Sequence, residues 1–172
     1  MQRVLSVMIV TLALVGVSCA KPAPPKPSFA GSWDIDIEAT RASATEAKMD
    51  GLALFMEHFT SEQTPKAFSM KVEAGQMIVT AVYNLDGTVS KNMSPSGTSG
   101  AAPIEVVSNA SWDGNTLVIT STSSSASANG PIEVKSTRKM WLDATGRLVI
   151  ERVGTPLTMV RPTRSVYKKS AK

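Results

Sequence analysis

The chain is 172 residues long, 42% hydrophobic and 19% charged, with a formal net charge of +4. A basic balance invites a nucleic-acid or membrane partner, but the placement of the charge argues against the first. Between Phe29 and Val160 ten basic residues stand against all fourteen acidic ones, and the positive excess lies in Lys21 and Lys26 and then in Arg161, Arg164, Lys168, Lys169 and Lys172.

The amino terminus reads as an address. Arg3 precedes an apolar run from Val4 to Val17, long enough for the core of an export signal and short of the ~20 residues that a spanning helix needs. Small residues, Gly16 and Ser18, stand before Cys19, the single cysteine. Residues 1–18 are therefore expected to be a signal peptide. Lys21 to Ser28 holds four prolines, a semi-rigid polyproline spacer.

Gly16-Val17-Ser18-Cys19 resembles the lipobox of bacterial lipoproteins, with Gly16 where Leu is usual. The resemblance implies a diacylglycerol thioether and an acylated amino terminus on Cys19, with 19–28 as lipidated cysteine and linker. Two or more acyl chains anchor a protein stably, whereas one does so marginally. Ala20 in place of Asp implies the outer membrane of the cell envelope, on the periplasmic face. The alternative is an ordinary signal peptide cut near a chance cysteine. With Cys19 lipidated no thiol is left for a disulfide, so the remaining domain must be held by its core.

Residues 29–168 read as a single β domain, followed by a basic tail at 169–172. Trp33, Ile35 and Ile37 alternate with Asp34, Asp36 and Glu38, which predicts a half-buried strand over 29–38 with an acidic outer face. Met49, Leu52, Phe55, Met56 and Phe59 recur at helical steps, which predicts one short helix near 44–59. Strands are then expected over 68–73, 76–85, 104–112, 116–127, 132–142, 147–153 and 157–167. Turns such as Asp86-Gly87, Asp113-Gly114 and Thr145-Gly146 separate them. Ser94 to Ala102 reads as a loop, and the Ser/Thr-rich stretch 120–129 as an edge strand with little to bury. Seven or eight short strands with one helix predict an antiparallel meander closed into a small barrel, with a β-sandwich as the alternative.

Gly31-Ser32-Trp33 resembles the Gly-X-Trp opening of lipocalin-like barrels. With Trp112-Asp113-Gly114, Trp141-Leu142-Asp143 and a closing Val166-Tyr167-Lys168, it is similar to a group of small exported β proteins. The resemblance implies a Trp that closes one barrel end under a cation, here Arg161 or Arg164. It brings no catalytic residue.

His58 is the single histidine, and no Gly-X-Ser-X-Gly elbow accompanies it, so it reads as a packing or surface residue and no catalytic residue is expected. One His and a lipidated Cys cannot build a zinc site. Asp34, Asp36 and Glu38 read as a solvated face, with weak cation binding as the alternative. No phosphate loop or dinucleotide fingerprint is present, so no cofactor is expected. The chain is thus expected to be a non-enzymatic, membrane-tethered barrel for a small apolar or amphipathic ligand. The alternative is a structural or interaction lipoprotein of the envelope, or an enzyme inhibitor, with a filled barrel. The ligand-binding residues and oligomeric state are not legible.

Overall fold

The computed structural model describes residues 25–51, 56–74, 77–95, 102–127, 130–158 and 160–171. The expected signal peptide, Cys19 and the start of the linker lie outside them, as do residues 96–101 of the expected loop. The elements are β1 Gly31–Ile35, α1 Ile37–Ala47, β2 His58–Gln63, β3 Ala67–Ala74, β4 Met77–Asn84 and β5 Ser90–Ser94. They continue with β6 Ile104–Asp113, β7 Thr116–Ser127, β8 Gly130–Leu142, β9 Leu148–Thr155 and β10 Thr163–Lys169.

The strands form one ten-stranded antiparallel sheet in the order β4-β3-β2-β1-β10-β9-β8-β7-β6-β5. The sheet curls until β4 and β5 meet. There, side chains take the place of a backbone ladder. The Asn92 amide accepts from Val82 N at 2.8 Å and donates to Val82 O at 2.9 Å, and Asn84 N donates to Ser90 Oγ at 2.7 Å. Asp113-Gly114 and Thr145-Gly146 turn as expected: Gly114 (φ 57°) and Gly146 (φ 80°) occupy the left-handed region that a side chain disfavours.

The expected strand over 29–38 and helix near 44–59 both shift. β1 stops at Ile35 because the Asp36 carboxylate accepts from Ala39 N at 3.0 Å and caps a helix that starts at Ile37. Ile37 is consequently 48% exposed rather than in the core. The helix ends at Lys48, whose left-handed backbone directs its N–H back to Ala44 O and Thr45 O. Residues 58–63 form a strand, since Phe59 lies opposite Trp33 and fills the barrel. The Met/Phe spacing therefore reports a core residue on a strand at Phe59; Leu52 and Phe55 lie outside the described residues. α1 packs along β10 where β1 has ended. Thr40 Oγ1 donates to Val166 O at 3.2 Å and accepts from Val166 N at 2.9 Å.

β5 carries no apolar run, which is why a reading built on apolar alternation omits it. The stretch 120–129 is a second correction. β7 is not an edge: it pairs with β6 on one side and β8 on the other. Ser121, Ser123 and Ser125 face the barrel lumen, on the parity of buried Leu117 and Ile119.

Candidate functional site

Strand parity and register divide the barrel into two halves. At the end that carries the β6–β7 and β8–β9 turns, the inward side chains are large and almost wholly buried: Trp33, Phe59, Phe68, Leu117, Met140 and Leu148. Burial of each such side chain contributes ~1.5–3 kcal/mol. The Trp33 indole Nε1 donates to Phe29 O at 2.8 Å and to Ser61 Oγ at 3.2 Å, so its polar edge is satisfied inside the core. Its cation is not the expected Arg161 or Arg164. Lys169 Nζ lies 4.5 Å from the ring centroid, because Lys169 is opposite Trp33 across β1 and β10. Arg164 points to the outer face, where it stands over Trp141 and pairs with Glu151 at 2.7 Å. Tyr167 belongs to the same packed half, and burial pushes its phenol up to about 12.

Towards the other end small and polar inward side chains join aliphatic ones. On β7 the polar ones are Ser121, Ser123 and Ser125; on β8, Ser136 and Arg138; on β9, Arg152. Ser121 Oγ is bonded to Ser108 Oγ of β6 at 2.9 Å, which places this serine column inside the wall. Arg138 crosses the whole lumen. Its Nη1 donates to Tyr83 Oη on β4 at 3.2 Å and approaches Met70 Sδ on β3 at 3.6 Å. β3 lies half a turn around the sheet from β8, so the guanidinium forms a floor over the aromatic half.

Arg152 lies directly opposite Arg138 in the β8–β9 register. Among the described residues its guanidinium has no hydrogen-bond or ion-pair partner. Loss of water, and then the Arg138 charge, lower its pKa. Like charges across a strand pair are destabilising, and a carboxylate on either neighbour would relieve them. None is present: among the described residues the inward positions of all ten strands hold no Asp or Glu. The lumen therefore presents two converging cationic forks, geometry suited to a carboxylate, sulfonate or phosphate.

The other candidates fall outside the lumen. His58 sits at the start of β2 on the outer face, with Nδ1 2.6 Å from Asp34 Oδ1 and Nε2 3.3 Å from Ser32 Oγ. This bond is the main cause of a lowered Asp34 pKa. The order Ser-His-Asp is that of a relay, but a relay needs N–H groups free to hold an oxyanion. Here β1 is paired on both sides with β2 and β10, and the three side chains brace β1 against β2. The expected acidic face is dispersed: Asp34 binds His58, Asp36 caps α1 and Glu38 lies in its first turn. Among the described residues no three His, Cys, Asp or Glu side chains converge. An open groove of 680 Å³ runs over the outside of β6, β7 and β8, past Val107, Thr122, Ser124, Pro131 and Glu133.

The lumenal arginines carried a signal in the sequence. In Val134-Lys-Ser-Thr-Arg-Lys-Met140 the apolar parity is that of Val134 and Met140, and Arg138 falls on it. In Leu148-Val-Ile-Glu-Arg152 the inward parity likewise ends on Arg152. A charge on the buried parity of a strand is the mark to look for.

No family model matches the chain, and no curated protein matches it. Among solved structures, that of a mutant of the fluorescent protein UnaG matches with a TM-score of 0.52 at 18% identity, covering 84% of this chain and 97% of that one. The chain has a lipocalin-like barrel fold. At that identity the likeness concerns fold alone.

Proposed function

We propose that this protein is an exported, lipid-anchored, non-enzymatic binding protein whose barrel takes a small amphipathic organic anion. One observation carries the reading of the barrel: Arg138 and Arg152 lie side by side on neighbouring strands, and among the described residues the inward strand positions hold no carboxylate. A charge left unpaired inside a protein is destabilising, and an anionic ligand removes that penalty as it binds. Bidentate contacts to two guanidinium groups contribute ~1.5–3 kcal/mol each. The tether rests on the lipobox-like Gly16-Val17-Ser18-Cys19 and the proline-rich strap after it. In this reading the barrel stays at the outer membrane and samples the periplasm for its ligand.

The test of the barrel uses two fluorescent probes of similar size, anionic 8-anilinonaphthalene-1-sulfonate and neutral N-phenyl-1-naphthylamine. The sulfonate is expected to bind saturably at one site, and the Arg138→Gln/Arg152→Gln double variant to weaken it at least tenfold while leaving the neutral probe unchanged. Equal loss of both probes, or of neither, overturns the anion site. The tether is tested by Cys19→Ser: the variant should leave the membrane fraction and cease to incorporate labelled palmitate.

A second reading has its own observation. Ile78, Val82 and Met93 are exposed on the outer face of β4 and β5, at 61%, 43% and 56%. An apolar outer stripe of this kind suits an envelope protein that acts through its surface. A crosslinked protein partner from the envelope, with no bound small molecule, would favour it.

A further inference from the structure

Above the Arg138 floor the two walls of the lumen differ in chemistry. The wall made by β7, β8 and β9 carries Ser123, Ser125, Ser136 and Arg152. Among the described residues none of these side chains has a hydrogen-bond partner. The facing wall is aliphatic: Val72 of β3 lies opposite Val79 of β4, and Met70 opposite Ala81. Aliphatic rows also border the serine column. Val106 and Val134 flank Ser123 across the β6–β7 and β7–β8 registers, and Ile132 lies beside Ser125. Successive inward hydroxyls on one strand are about 7 Å apart.

A purely aliphatic acid would leave these hydroxyls facing hydrocarbon, and each polar group dried without a partner is destabilising. A ligand polar all round would lose its hydration against Val72, Val79 and Ala81. A body with one polar edge and one apolar face satisfies both walls. We infer that the ligand is a facially amphipathic organic anion: a rigid apolar body with hydroxyl or carbonyl groups along one edge and a terminal acidic group. It enters acid first, so that the acid reaches Arg138 and Arg152 while the polar edge lies along Ser123, Ser125 and Ser136. This deepens the anion-binding reading above and rests on it.

The probes for the test are cholate and lithocholate. They share a ring body and a carboxylate, and differ in carrying three hydroxyls on one face against one. On the full-length chain, isothermal titration is expected to give cholate an affinity at least equal to that of the more hydrophobic lithocholate. The Ser123→Ala/Ser125→Ala/Ser136→Ala variant should weaken cholate at least tenfold and leave lithocholate within twofold. Its fold is checked independently by the far-UV circular dichroism spectrum and the urea midpoint, which should match those of the wild type. Tighter lithocholate binding to the wild type, or equal response of both acids to the serine changes, overturns the facial assignment while the anion site stands. Failure of both acids and of the sulfonate in the wild type removes the anion site itself, and the facial assignment with it.

Discussion

The two halves of one barrel solve opposite problems with the same strands. In β8, Met140 and Leu142 end in the packed half, while Arg138 and Ser136 lie two and four residues before Met140 and line the open half. In β7, Leu117 and Ile119 are only 0% and 1% exposed, and Ser121, Ser123 and Ser125 follow on the same face. Stability is concentrated where side chains are large and interlocked, and the open half is released from that duty. It can hold two like charges and, at Ser123 and Ser125, hydroxyls with no hydrogen-bond partner among the described residues, because the aromatic half supplies the fold.

The comparison is most open to attack in the packed half. Trp33→Ala should lower unfolding stability by ~3–5 kcal/mol, read from the urea midpoint, because it removes the largest core side chain and orphans the cation–π contact of Lys169. A loss under about 1 kcal/mol would show that the aromatic end is not the source of stability.

Thr40→Val should cost about 1–3 kcal/mol, since the Val166 N–H loses its side-chain acceptor at a buried position, while Val166 O keeps the Asp36 N–H. The measurement also separates clamp from lumen: binding of an anionic probe should be unchanged.

Acid sharpens the contrast further. Asp143 sits in the β8–β9 turn at the packed end. Burial alone would raise its pKa, but hydrogen bonds from Thr145 and Arg147 hold it down to about 2. A carboxylate depressed in the folded state stabilises fully above its unfolded value near 4, and that contribution is lost as pH falls towards 2. Asp143→Asn should therefore cost about 1–2 kcal/mol at neutral pH, after allowance for solvent screening, and flatten the stability profile between pH 4 and 2.

The smallest effect has the opposite sign. Arg152→Met should stabilise the empty protein by about 0.5–1 kcal/mol, by removing a like-charge cross-strand pair, while weakening an anionic ligand. A variant that loses stability as well would mean that the arginine serves the fold.

What could be read from the residues follows the same division. The packed half is legible: Trp33 and the Asp113-Gly114 and Thr145-Gly146 turns, which separate β6 from β7 and β8 from β9, speak through local chemistry. Asp36 reads as part of a strand because a carboxylate on the outer parity of a strand and one that caps a helix look alike until the chain bends. His58 and Phe59 fall inside the expected helix because Phe59 lies on a three-residue step from Met56, and no apolar alternation marks 60–63 as the rest of β2. β7 reads as an edge because the stretch has little to bury on either face, and only its pairing with both β6 and β8 shows that it lies inside the wall. Lys169 is not singled out by the residues, since the cation above Trp33 is chosen by the β1–β10 register, a pairing across 136 residues that no local pattern encodes.

The junction of β4 and β5 acts as a clasp. Everywhere else the circumference is set by continuous backbone ladders, which have fixed spacing. At this one line it is set by the reach of Asn92, Asn84 and Ser90, whose side chains can lengthen or release one at a time. The closure of the barrel at this seam therefore rests on a few amide and hydroxyl contacts, each of which a single substitution removes.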